Sequence, residues 1–148
     1  MLSLREVTMG KIDWGRVIMG GLLAGVVLNV VDFVLYGVLL KQDIAAAMQA
    51  LGKPPMPDSM IWLYVAWDFV LGIALIWLYA AIRPRFGPGP RTAVIAGLCV
   101  WFLIGLMHAI GEAPMGLFPQ KMYTLGTIVA LIQIPVAGVV GASIYKEM

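Results

Sequence analysis

Four apolar runs, at residues 17–40, 60–82, 92–112 and 122–145, decide what this chain can fold into. Each is about 20 residues, the length of helix that crosses a hydrocarbon layer of roughly 30 Å at 1.5 Å per residue. The first run holds one charge, Asp32, and the second one, Asp68. The third holds none before Glu112, and the fourth none at all. Helices buried in a soluble bundle would each need a polar face, and none of these has one. Barrel strands are shorter and alternate polar with apolar residues. The expectation is an all-α, polytopic membrane four-helix bundle, a single transmembrane domain over residues 1–148.

Composition closes the competing classes. The chain is 61% hydrophobic and 12% charged, with a mean hydropathy of +0.94, whereas a soluble domain is about a quarter charged. A soluble enzyme is excluded on this ground, and so is disorder, because apolar material is abundant. One cysteine, Cys99, leaves no disulfide framework and no Cys-based zinc site. A net charge of +2 provides no basic surface for nucleic acid. The first run is too long for a signal peptide and has no small-x-small site leading into polar chain, so it reads as a retained span.

Lys and Arg set the orientation. Arg5, Lys11, Arg16, Arg83, Arg85, Arg91 and Lys146 fall on one side, and Lys41, Lys53 and Lys121 on the other. The positive-inside rule places both termini and the 83–91 turn in the cytoplasm. Three prolines and two glycines in that turn are expected to stop the second helix at its start, with Arg83, Arg85 and Arg91 meeting lipid phosphates. Beyond the first span, Leu40, Ile44, Met48 and Leu51 recur at helical spacing before Gly52 and Pro54-Pro55. Residues 41–51 therefore read as a short helix lying on the outer membrane surface. The tail 1–13, with Leu2, Leu4, Val7 and Ile12, reads as interfacial or frayed, and Met9 as an alternative start.

A repeat is also visible. Arg16 and Arg91 each open an odd-numbered span, while Gly72 and Gly138 each stand seven residues before a tyrosine, Tyr79 and Tyr145. Two copies of a helical hairpin, related by an axis along the membrane normal, would produce this pattern.

Polar residues inside spans are costly, roughly 2.5–3.5 kcal/mol for an Asp at helix centre, so their positions carry the most information. Asp32 lies eight residues before Leu40 and Asp68 eight after Met60, so both sit about 12 Å below the outer face. Asn29 shares a face with Asp32, and Gln133 lies near the middle of the fourth span. His108 and Glu112 form a polar pair at the outer end of the third. Gly21, Gly25, Gly72, Gly105, Gly126 and Gly141 lie on stripes of small residues suited to close helix packing, with Tyr36 and Trp101 on the same stripes. The bundle is expected to pack tightly on its inner side and to open outward around the two acids. Pro135 is expected to kink the fourth span beside Gln133.

No Lys or Arg occurs within any span. The acids must then be protonated, share a proton, bind a cation or meet another chain. A metal site from Asp32, Asp68, His108 and Glu112 has acceptable ligand types but follows no known spacing. Haem has only one candidate histidine and no Cys-x-x-Cys-His. Cys99 falls in the apolar inner half, where a thiol is inert. No nucleophile stands beside a base, so no enzyme activity, metal or cofactor is expected.

The segment Trp77-Leu-Tyr-Ala-Ala-Ile-Arg-Pro-Arg-Phe-Gly-Pro-Gly-Pro-Arg-Thr92, and the Asp13-Trp-Gly-Arg-Val approach to Asn29-x-x-Asp32, resemble ones that recur in an uncharacterised family of small bacterial four-span integral membrane proteins. The resemblance implies a bacterial inner-membrane location and carries no assigned activity. The functional expectation is a non-catalytic accessory or stabilising subunit, in contact with the lipid bilayer and with other membrane chains or copies of itself. Proton-linked or ion passage through a homo-oligomer by way of Asp32 and Asp68 is the alternative, and an outer-facing metal or cofactor site a second one.

Overall fold

The computed structural model of the chain describes residues 11–146. Helix α1, Trp14–Asp32, starts on Asp13, whose carboxylate accepts from the Arg16 amide at 3.1 Å and pairs with its guanidinium at 3.2 Å. Such a cap stabilises a helix start by about 1 kcal/mol. The helix continues as a π-helical segment, Phe33–Leu39, and α2, Lys41–Ala50, follows a bend at Leu40. Helix α3 spans Met60–Phe86. Helix α4, Pro90–Val100, leads through a second π-helical segment, Trp101–Leu106, into α5, Met107–Glu112, and a 3₁₀ turn, Ala113–Met115. Helix α6 covers Gln120–Ala142.

Four stretches are long and apolar enough to cross a membrane: Trp14–Leu39, Met60–Phe86, Pro90–Met115 and Gln120–Ala142. The chain is thus an all-α, multi-pass membrane bundle. The first span packs against the second and fourth, and the third against the same two.

Several boundaries differ from expectation. The second helix runs through Pro84 to Phe86 and stops at Gly87, whose φ of 86° breaks the pattern. A proline this close to a helix end removes a single backbone bond, to the carbonyl four residues back, with almost no helix left to disrupt. The fourth helix ends at Ala142, leaving Tyr145 beyond it in a turn. A helix forms at 41–50, where the spacing predicts one, and it is docked on the protein. Leu40 is 1% exposed and Ala47 6%, and Asp43 pairs with Lys121 of α6 at 3.1 Å. Residues 1–10, which include Met9 and most of the apolar tail, lie outside the described residues.

The core occupies one half of the bundle, the half ending in the arginine-rich turn, called here the basic end. Val17, Ala24, Leu28, Leu75, Ile76, Ala93, Ala96 and Ala137 are buried there. Glycine makes this packing possible. A Cβ on Gly20 would lie 2.6 Å from the Gly141 carbonyl oxygen, and one on Gly97 would lie 2.5 Å from Pro135 Cα. A Cβ on Gly72 would collide with the Gly21 carbonyl. Close backbone approach of this kind, together with hydrogen bonds between helices, holds apolar spans together where water supplies no hydrophobic drive.

The repeat has a structural counterpart at the basic end. Tyr79 and Tyr145 meet edge to face at 5.9 Å and 89°. The Tyr145 hydroxyl accepts from the Asp13 amide at 3.3 Å, and the Tyr79 hydroxyl from the Gly89 amide at 3.1 Å. Asp13 and Gly89 are the residues that precede the first and third spans, so each tyrosine ties the start of the other hairpin. Higher up, Asn29 donates to the Val65 carbonyl at 3.4 Å, and Trp101 to the Thr127 carbonyl at 2.9 Å. In both hairpins a side-chain N–H of the odd span bonds the backbone of the even one.

Candidate functional site

The polar residues collect where the tight packing stops. Asp32 is the last residue of α1, immediately before the π-helical segment, and Asp68 and Gln133 come from α3 and α6. Asp68 is 5% exposed and Gln133 8%, and Asp32 is half-buried. Gln133 Nε2 donates to Asp32 Oδ1 at 2.8 Å. The carboxyl groups of Asp32 and Asp68 lie close enough to interact electrostatically. Three spans therefore converge on one knot. Asn29 stands beside it but bonds the Gly25 and Val65 carbonyls, tying α1 to α3 without touching the acids.

Two backbone features frame the knot. A π-helical turn carries an extra residue and is frequent at functional sites; here it starts at the residue after Asp32. Pro135, inside α6 two residues after Gln133, has no N–H for the carbonyl four residues before it. Both loosen the helical ladder beside a polar group.

Tyr36 was legible as a stripe residue but not as a member of the site. It lies one turn beyond Asp32, within electrostatic reach of both carboxyls. A Cβ on Gly126 would lie 2.7 Å from its hydroxyl, so Gly126 brings the fourth span against the first by seating that hydroxyl. Gly21, Gly25, Gly72 and Gly141 do make close helix approaches. Gly105 does not: a Cβ there would first meet the Trp101 side chain of its own span, at 3.0 Å. Its role is to leave room for the indole that bonds Thr127. Gly20 and Gly97 escaped the stripe reading, because nothing in a uniformly apolar helix singles out one glycine as a contact.

His108 and Glu112 pair at 3.3 Å with 59% and 39% side-chain exposure. They remain apart from the carboxyl pair, and among the described residues no three His, Cys, Asp or Glu converge to hold a metal ion. The four-residue metal site weighed from sequence is therefore two separate pairs. Arg85 and Arg91 are exposed, whereas the Arg83 guanidinium lies 5.5 Å over the Tyr145 ring and serves the basic-end tie. Cys99 is exposed among Ile95, Leu98 and Phe102 on an apolar face of the third span.

Chemically, the knot can hold a proton. Two carboxyls this close disfavour double ionisation, so the pair is suited to share one proton. The Gln133 amide then satisfies Asp32 from the other side. Comparison of the chain with protein-family models, with curated proteins and with solved structures finds no match.

Proposed function

We propose that this chain is a non-catalytic integral membrane protein that holds one proton between Asp32 and Asp68, and that gain and loss of this proton is its working step in a proton-linked membrane process. The observation that carries the reading is the neighbouring pair of carboxyls in facing spans, one of them held by the Gln133 amide. Ionisable residues at this depth are expensive and mark proton or ion function more often than packing. A purely structural role would be met more cheaply by apolar side chains. The resemblance and the Lys/Arg distribution favour a bacterial inner membrane, with the basic end in the cytoplasm and the knot nearer the outside. The lipid bilayer is its solvent.

The test is infrared spectroscopy of the protein in lipid at neutral pH. A protonated-carboxyl C=O band is expected, lost in Asp32→Asn/Asp68→Asn. Two fully ionised carboxylates, with no such band, would end the proposal.

The accessory-subunit reading is second, and one observation favours it. Phe33, Val34, Val38 and Leu39 of the first π-helical segment are all exposed, an apolar helix surface fit for a span of another chain or a second copy. Against it, the small-residue stripes are consumed inside the chain. A tagged chain extracted in mild detergent with other proteins at fixed stoichiometry would favour this second reading; a single species would favour the first.

A further inference from the structure

The seam between the first and fourth spans can be followed rung by rung. From the basic end it runs through Asp13–Tyr145, Gly20–Gly141, Asp32–Gln133, Tyr36–Gly126 and Asp43–Lys121. Below the acids the seam is shut. Gly20 and Gly141 approach backbone to backbone, and Ala24 and Leu28 are 0% exposed. Above the acids it loosens. Tyr36 is 40% exposed, and the last rung is an exposed ion pair that fastens α2 across the gap. Such pairs contribute little, and α2 is otherwise held by Leu40 and Ala47 between a bend and the positive-φ Gly52. The packing beside the pair is therefore looser on the α2 side.

One side chain on that side of the seam offers a hydroxyl in line. Thr124 spends its hydroxyl on the Gln120 carbonyl at 3.0 Å, and Thr127 lines a groove of about 490 Å³ between the third and fourth spans. Tyr36 stands one turn above Asp32, with its hydroxyl seated on Gly126. The geometry points to Tyr36 as the proton relay between the α2 end of the bundle and the Asp32–Asp68 pair, along the first–fourth seam beneath α2. This rests on the proton reading above and adds its route. In the inward step the Tyr36 O–H breaks as its proton passes to an intervening water, which gives one of its own protons to a carboxyl, while the phenolic oxygen takes a proton from hydronium on the α2 side. Tyr36 ends as it began, and the pair has gained one proton. Gly126 is the positioning residue, since any side chain there would occupy the hydroxyl's seat.

Time-resolved infrared spectroscopy after a switch from H₂O to D₂O, on lipid-reconstituted full-length protein, reads the relay directly. The carboxyl band shifts as the shared proton exchanges. Tyr36→Phe is expected to leave the band in place and slow its exchange about tenfold or more, the scale of a lost proton-transfer group. Gly126→Ala is expected to do the same by displacing the hydroxyl. Trp101→Phe, which disturbs the third–fourth seam, is expected to leave the rate unchanged. Wild-type exchange in both Tyr36→Phe and Gly126→Ala would overturn the relay while leaving the proton reading intact. Equal slowing by Trp101→Phe would overturn the route. Absence of the band in the wild-type protein would instead overturn the proton reading beneath both.

Discussion

The two halves of this bundle obey different rules. At the basic end, helices touch through glycine and alanine, buried side chains are fully enclosed, and two tyrosines lock the hairpin starts together. At the α2 end few side chains are buried, Leu35, Leu40 and Ala47 among them, and both odd spans turn π-helical. The carboxyl knot lies on the border. The contrast shows how a small membrane protein separates stability from access: dry close packing holds the fold, and the polar group sits where that packing ends. A charge inside the tight half would have no room for partners, and one far into the loose half would have no partners to find.

The contrast can be broken most directly with size. Gly72→Leu is expected to cost at least about 3 kcal/mol, the upper range for overpacking, because the collision is with backbone. Gly111→Leu, with nothing within 4 Å of its Cβ position, is expected to stay within about 0.5 kcal/mol of wild type. Unfolding in mixed micelles measures both, and equal costs would abolish the distinction between the halves. Gln133→Leu comes next. It strips Asp32 of its amide partner, with an expected loss of about 1–3 kcal/mol, and the Asp32→Asn/Gln133→Leu double variant should recover part of it.

Smaller effects test the kinship of the hairpins. Asn29→Leu and Trp101→Phe each delete one side-chain bond to the facing backbone, and similar losses of about 1 kcal/mol are expected. Strongly unequal losses would mean that the two bonds resemble each other only in form. Smallest of all, Lys121→Ala should cost less than about 1 kcal/mol, because the Asp43 pair is exposed and screened. A large loss would make α2 a structural brace instead of a loosely held cover.

Much of this was readable beforehand. Run length and hydropathy located four spans to within a few residues, and the Leu40–Leu51 spacing located α2. Equal distance from the span ends placed Asp32 and Asp68 at one depth, which is the precondition for their meeting. Gln133 was visible as the polar residue of the fourth span. The partnerships were not readable. The spans are apolar on every side, so no amphipathic face says which way a helix turns. Gly105, Gly126 and Arg83 show this: the sequence indicates the general role of each residue type, and only the structure shows the particular aromatic neighbour each meets, Trp101, Tyr36 and Tyr145.

What the sequence determined by itself follows from desolvation. Backbone groups in hydrocarbon must bond within their own segment, so apolar runs of this length become helices whatever surrounds them. The scarcity of charge likewise makes each intramembrane carboxyl a site. What only the tertiary structure decided is rotation and register: that Asp32 meets Asp68 and Gln133, that Tyr36 settles on Gly126, and that α2 crosses to Lys121. Those choices are set by which glycines let two backbones approach, a matter of shape between helices that no single run of residues contains.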